Sequence, residues 1–214
     1  MKENTSWALW IFNATYLFWG GAYFLQDLNF EFVIYIAVIL IIIGTVLLTA
    51  YRTQFPVWQL WLLSLWGLMH VLGGAVTVHD TVLFGYRIYP FLDLGGEFYI
   101  LKYDQVVHAY LYGLVGMMSL HILRRLAPAA TKQWLLGLFA ILTSLGISAL
   151  NEIMEFLISL NMENGVGGYE NTMLDIIFNL GGAVVATTIY ILFTRKPRTP
   201  VIENKPVRKK KSSQ

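Results

Sequence analysis

Six ionisable side chains interrupt apolar stretches of the sequence, and their types could support chemistry. They are His70, Asp104, His108, Glu152, Glu155 and Asp175. A charged group within a bilayer costs about 2.5–3.5 kcal/mol on insertion scales, so such groups usually face a partner or a polar cavity. Imidazole nitrogen and carboxylate oxygen are suitable ligands for zinc, manganese or iron. Alternatively, a carboxyl group in a medium of low dielectric constant could act as a general acid or base.

The spacing of these residues places them in pairs on helix faces. Residues three or four positions apart lie on the same face of a helix. Four pairs meet this condition, namely Asp104 with His108, Glu152 with Glu155, Asn151 with Glu155, and Asp175 with Asn179. Asn151 stands four residues before Glu155, and we expect Asn151 and Asn179 to support the ionisable groups. Asp104 could orient the imidazole of His108 in the way that carboxylates orient metal-binding histidines.

The composition indicates that membrane helices position these side chains. Of 214 residues, 57% are hydrophobic and 13% are charged, whereas a soluble domain carries about 25% charged residues. So few charges cannot cover a water-soluble globule of this size, which leaves lipid as the covering. The sequence contains no cysteine, and this excludes disulfides, thiol catalysis and thiolate metal sites.

Six segments have the length of roughly 20 apolar residues that a membrane-spanning helix needs. They are Trp7–Leu25, Phe32–Tyr51, Val57–Val78, Gln105–Leu123, Trp134–Leu160 and Thr172–Thr194. We predict an all-α, polytopic bundle of six transmembrane helices within residues 1–194. Residues 195–214 are predicted to form a basic, disordered cytoplasmic tail. This tail is either attracted to anionic lipid or serves only as a topology anchor.

The distribution of Lys and Arg predicts that both termini are cytoplasmic. With the N-terminus inside, Arg87 and Lys102 are the only two of the 15 Lys and Arg residues in outer loops, as the positive-inside rule requires. The aromatic-rich loop of residues 79–104 then lies outside, and we expect it to form a cap or hairpin. A rise of about 1.5 Å per residue brings the polar residues of helices 3 to 6 to one depth beneath the outer surface.

Small residues accompany the polar ones in helices 3 to 6. They are Gly73, Gly74, Gly113, Gly116, Gly181 and Gly182. Because small residues let membrane helices approach closely, we predict that helices 3 to 6 pack as a bundle around the polar level. Helices 1 and 2 carry no ionisable group and are predicted to be plain lipid-facing spans.

The order of these motifs resembles two families of bacterial membrane proteins, the VanZ-like proteins and the family typified by YjdF. The motifs are Tyr103-Asp104-x-x-x-His108, Asn151-Glu152-x-x-Glu155-Phe156 and Asp175-x-x-x-Asn179-x-Gly181, with His70-x-x-Gly73-Gly74 upstream. The resemblance covers about residues 65–190. It implies a multi-pass protein of the inner membrane, and VanZ-like proteins are linked to glycopeptide tolerance and the cell envelope.

Three functions are compatible with the sequence. The leading hypothesis is a cell-envelope protein with an outward-facing, membrane-embedded polar site that acts on a lipid-linked or amphiphilic substrate. Its carboxylates and imidazoles would either hold a divalent metal or shuttle a proton. The second is a small transporter or proton-coupled carrier, although no polar path is expected to continue toward the inner side. The third is a non-catalytic scaffold in which the cluster fixes helix packing. We expect membrane lipid and no nucleic acid as a partner, and the oligomeric state is left open.

The predicted topology can be checked on the loop of residues 79–104. A protease or a membrane-impermeant label applied to intact cells should reach this loop from the outer side. Access only from the cytoplasmic side would contradict both the orientation and the outward-facing site.

Overall fold

The computed structural model describes residues 3–26, 30–128, 130–160 and 168–194. The predicted basic tail of residues 195–214 lies outside these residues. Six long helices account for most of the described chain and confirm the helical fold class. They are α1 (Glu3–Gln26), α2 (Phe30–Thr53), α3 (Val57–Ala75), α4 (Tyr103–Leu126), α5 (Gln133–Ser159) and α6 (Tyr169–Phe193).

Five of these helices are long and apolar enough to cross a membrane. The spans are Phe32–Thr53, Val57–Ala75, Tyr103–Leu126, Gln133–Ser159 and Tyr169–Phe193. Helix α1 is outside this set because its Trp, Tyr, Gly and Asn residues lower its mean hydropathy. A sixth crossing by α1, and the side of the membrane on which each end lies, stay predictions.

The helix ends meet at two levels. At one level, Arg125 Nη2 donates a hydrogen bond to Gln54 Oε1 (2.8 Å), which joins the end of α4 to the link between α2 and α3. We call this level, which also carries Arg52 and Arg124, the arginine end. At the other level, the backbone N–H of Gly168 donates to Glu97 Oε2 (2.8 Å), so the chain before α4 contacts the start of α6. We call it the hairpin end.

Two antiparallel hairpins occupy the segment between α3 and α4. Strands β1 (Thr77–Val78) and β2 (Thr81–Val82) form the first, and β3 (Arg87–Gly95) and β4 (Phe98–Lys102) form the second. The expected hairpin is therefore present. The prediction that helix 3 continues to Val78 is wrong. The backbone adopts an extended conformation at Val76, and Thr77 and Val78 then pair with strand β2.

Helices α4, α5 and α6 form a tightly packed bundle, and α3 packs mainly against α1 and α4. Glycine permits the close contact between α4 and α6. A Cβ atom built on Gly182 would lie 2.0 Å from the carbonyl oxygen of Ala109, and one on Gly113 would lie 3.0 Å from the oxygen of Gly182. Gly181 faces open space. The predicted bundle is thus correct for three of its four helices.

Helix α1 is held to α3 by polar contacts, which corrects the prediction that it is a plain lipid-facing span. Asn13 Nδ2 donates to Ser64 Oγ (2.7 Å), and the hydroxyl of Tyr16 donates to Asn13 Oδ1 (2.7 Å). Gly67 leaves room for the Tyr16 hydroxyl, since a Cβ there would lie 2.3 Å from it. Hydrogen bonds between helices are a general means of joining membrane helices. Helices α1 to α3 therefore form a second packing unit beside the α4–α6 bundle.

The glycine contact between α4 and α6 predicts opposite effects for two neighbouring substitutions. Gly182→Ala should destabilise the protein by about 1–3 kcal/mol, because the new methyl group overlaps the Ala109 carbonyl. The control Gly181→Ala should leave stability unchanged or raise it by up to about 1 kcal/mol through its higher helix propensity. Thermal unfolding in detergent measures both. Equal midpoints for the two variants would contradict the described packing.

Candidate functional site

The second hairpin positions the first turn of α4. Strand β4 runs directly into the helix, and Gln105 joins the two, since its Oε1 accepts from the backbone N–H of Lys102 (2.9 Å). Its Nε2 donates to the carbonyl oxygen of Tyr99 (2.9 Å). Gln105 is fully buried. This fixed start of α4 determines where Asp104 and His108 point.

The imidazole of His108 lies at the centre of the polar cluster. Its Nε2 is 3.6 Å from Asp104 Oδ1 on the same helix. On the opposite edge of the ring, Nδ1 is 3.6 Å from Glu152 Oε1 of α5 and 3.2 Å from Asn179 Oδ1 of α6. One side chain thereby contacts groups from all three helices of the α4–α6 bundle.

Four carboxyl groups surround this imidazole and form two sets of potential metal ligands. The first set is Asp104, His108 and Asp175, and the second is His108, Glu152 and Glu155. Within each set, the ligand atoms lie within 4.8 Å of one another. The structure therefore brings together five of the six ionisable residues that the sequence singled out.

Amide side chains accompany the carboxylates. Asn151 Nδ2 donates to Glu155 Oε1 (2.7 Å), and Asn179 Nδ2 lies 3.4 Å from Glu152 Oε1. Both amides were expected to support the site from their spacing. A third, Asn171, donates to Asp175 Oδ2 (2.7 Å) and was missed, although it stands four residues before Asp175.

Two further polar residues at the site were missed because nothing in their spacing marks them. Lys102 Nζ donates to Asn171 Oδ1 (2.7 Å) and brings a positive charge near Asp175. Ser148 Oγ accepts from Asn179 Nδ2 (2.7 Å). Serine is common in membrane helices, so its type alone carries little information.

Two buried carboxylate oxygens lack a hydrogen bond within the described part of the chain. They are Glu152 Oε2 and Asp175 Oδ1, on residues that are 6% and 1% exposed. A buried carboxylate without partners is strongly disfavoured. Together with four carboxyl groups around one imidazole, these oxygens show that the cluster has more acceptors than the described side chains satisfy. Bound cations or added protons would supply partners for these oxygens.

His70 stands apart from the ionisable cluster. Its ring centroid is 5.3 Å from that of Tyr35, 5.4 Å from Trp66 and 5.1 Å from Phe84. It joins neither set of potential ligands among the described residues. The reason lies in packing, because three aromatic rings surround the imidazole: Tyr35 of α2, Trp66 of α3 itself, and Phe84 of the segment between the two hairpins.

A row of buried polar side chains continues from the cluster toward the arginine end. We call this row the polar stripe, and it consists of Asn179, Ser148, Ser144, Thr187, Tyr190 and Arg124. Ser144 donates to the Tyr112 carbonyl (2.6 Å), whereas Thr187 Oγ1 has no hydrogen-bond partner among the described residues. These side chains are not linked by a continuous series of hydrogen bonds among the described residues, so the expectation that no polar path continues toward the inner side stays a prediction.

The fold and the apolar surface define a multi-pass membrane protein. More specifically, the chain belongs to the family described as Predicted membrane protein (DUF2238), which matches residues 5–196. Comparison with curated proteins finds no match, and comparison with solved structures finds none. The resemblance to VanZ-like and YjdF-like proteins stays a prediction.

The excess of buried carboxylates predicts an unusual response to charge removal. In metal-free protein, Asp175→Asn should raise the midpoint of thermal unfolding by several degrees, because it removes a buried charge while keeping a similar shape. The matched control, Asp93→Asn in the exposed part of β3, should change it by about a degree or less. A clear loss of stability in Asp175→Asn would instead support a scaffold in which the cluster holds the helices together.

Proposed function

We propose that this protein is a plasma-membrane component of the cell envelope with an outward-facing site that binds a divalent cation. The site would act on the polar head of an amphiphilic or lipid-linked substrate. The observation that carries the proposal is the position of His108, whose two ring nitrogens lie between four carboxyl groups inside the α4–α6 bundle. Imidazole and carboxylate together are the ligands of zinc, manganese and iron sites.

The hydrogen bonds of Asn179 favour one of the two ligand sets. Its amide nitrogen faces Ser148 Oγ and Glu152 Oε1, so its oxygen faces His108 Nδ1. Nδ1 then carries the proton that it donates to Asn179, and Nε2 presents its lone pair on the side of Asp104. Metal-bound histidines commonly donate their second N–H to an oxygen acceptor in this way. We therefore propose Asp104, His108 and Asp175 as the cation ligands.

Glu152 and Glu155 lie on the other side of the imidazole and have a different role in the proposal. Glu152 and Asn179 orient the ring through Nδ1, which strengthens the ligand on the opposite edge. Glu155, held by Asn151, is partly exposed and is the candidate general acid or base. His70 is not a ligand in this arrangement, so the proposed metal ligands are fewer than the six candidate residues expected from the sequence.

The position of the site favours an amphiphilic substrate. Asp104 is in the first turn of α4, and His108 lies about 6 Å deeper along the helix. The Asp104 side chain is 23% exposed, against 10% for His108, so the cluster opens toward the hairpin end. A molecule with its tail in lipid can present a polar head at this depth. The excess of Lys and Arg at the opposite end supports the orientation with both termini inside.

The proposal predicts graded losses of metal binding. The native protein, purified in detergent and loaded with zinc, manganese or iron, should retain one equivalent by elemental analysis. His108→Ala should lose it, and Glu152→Ala and Asn179→Ala should weaken binding by about 10–100-fold, as changes beside a ligand do. His70→Ala should bind as the native protein does. Absence of bound metal from the native protein, or its loss in His70→Ala alone, would contradict the proposal.

A second candidate function is a proton-coupled carrier, and the polar stripe is the observation that favours it. Buried hydroxyl groups below the carboxylates could help a proton or a small polar solute to cross the bundle. Ser and Thr also serve as ordinary contacts between membrane helices, so the stripe alone does not establish transport. If the native protein binds no metal in the assay above, the carrier becomes the preferred function.

A further inference from the structure

A cavity of about 500 Å³ lies at the arginine end, on the opposite side of the bundle from the carboxylate cluster. The last turn of α2, the link to α3 and the last turns of α4 form its walls. Its lining residues are Tyr51, Arg52, Thr53, Gln54, Ile122, Arg125 and Leu126. Neither ligand set contributes to it, so it is a separate feature from the proposed cation site.

Two guanidinium groups in this cavity lack a carboxylate partner within the described chain. Arg125 Nη2 donates to the neutral side chain of Gln54 (2.8 Å), and no salt bridge involves Arg52 or Arg125 among the described residues. The neighbouring Arg124 differs, because it donates to Gln133 Oε1 (2.8 Å) and stacks over the ring of Tyr190. Arg124 therefore holds the bundle together, while Arg52 and Arg125 retain capacity for an anion.

The backbone at this cavity has a defined shape. Gln54 has φ 46°, in the left-handed region that non-glycine residues rarely adopt. Its N–H still donates to the Ala50 carbonyl (2.9 Å), which closes the end of α2. His121 Nε2 contacts the carbonyl oxygen of Thr53 (3.0 Å) and joins the link to α4. The two arginines are thus carried on segments that hydrogen bonds fix relative to each other.

The rim of the cavity is apolar and continuous with the lipid-facing surface. Tyr51 is 90% exposed and Leu126 is 61% exposed, and both belong to helices long and apolar enough to span the membrane. Such a site offers cationic groups to the acidic head group of a lipid and an apolar helix surface to the acyl chains of that lipid. A soluble anion would contact the cationic groups alone.

We propose that this cavity binds the phosphate head group of an anionic phospholipid, with the acyl chains along α2 and α4. Arginine matches phosphate through pairs of parallel N–H···O bonds. Basic pockets between membrane helices are known to hold anionic lipid head groups. The alternative is that Arg52 and Arg125 only set the topology and complement the carboxyl ends of α2 and α4. In that case the site would show no preference for anionic lipid.

The test compares lipids of different charge on the purified full chain. Phosphatidylglycerol, phosphatidylcholine and inorganic phosphate are added separately in neutral detergent, and retained lipid is measured by native mass spectrometry together with the thermal unfolding midpoint. We expect phosphatidylglycerol to bind at least tenfold more tightly than phosphatidylcholine, and inorganic phosphate to give no comparable stabilisation. Equal binding of the two lipids, or equal stabilisation by inorganic phosphate, would overturn the proposal.

Substitutions test whether the preference for phosphatidylglycerol arises at this cavity. The double variant Arg52→Gln/Arg125→Gln should lose the preference for phosphatidylglycerol. The matched control Arg87→Gln, in β3 at the hairpin end, should keep it. If the double variant does not fold, Arg52→Gln alone serves, because this side chain makes no described hydrogen bond, and it should reduce the preference at least threefold. Retention of the full preference in either arginine variant of the cavity would overturn the proposal.

Discussion

The arrangement of this protein depends on one electrostatic constraint, the placement of four carboxyl groups, two of them buried, around a single imidazole. Removing an ion from water costs several kcal/mol unless partners replace the lost hydration. His108 supplies one partner, and the amides of Asn151, Asn171 and Asn179 supply others. They leave two carboxylate oxygens without a hydrogen bond among the described residues. A site whose carboxylate oxygens lack hydrogen-bond donors is suited to bind a cation. This excess of unpaired oxygens connects the structure to the proposed function.

The packing of the bundle makes this burial attainable. Glycines on α4 and α6 bring the two backbones into contact, so Asp175 and Asn179 reach the imidazole from the facing helix. The hairpin and Gln105 fix the first turn of α4 at the same level. Helices α1 to α3 form their own polar and aromatic contacts, which keeps them outside the cluster. The candidate site therefore lies among α4, α5 and α6, whereas the proposed lipid contact lies at the arginine end, between α2 and α4.

The sequence predicted the parts of this arrangement that follow from local spacing. The four-residue interval from Asp104 to His108 gave a correct shared face, and the apolar lengths gave the six helices. His70 was grouped with the cluster because its depth along α3 agreed, but depth does not determine which way a side chain faces. Trp66 stands four residues before His70 on the same helix, but Tyr35 and Phe84 come from other elements, and only tertiary packing brings these two rings to the imidazole. Ser148 was missed for a similar reason, since its role appears only when α6 lies against α5.

The central claim is that a divalent cation binds at Nε2 of His108, between Asp104 and Asp175. An experimental structure of the protein soaked with manganese or zinc, with anomalous scattering recorded at the metal edge, tests this most directly. The account predicts one strong anomalous peak about 2.0–2.2 Å from Nε2, the usual length of metal bonds to nitrogen and oxygen. A peak on the Nδ1 side, between Glu152 and Glu155, or no peak at saturating metal, would contradict it.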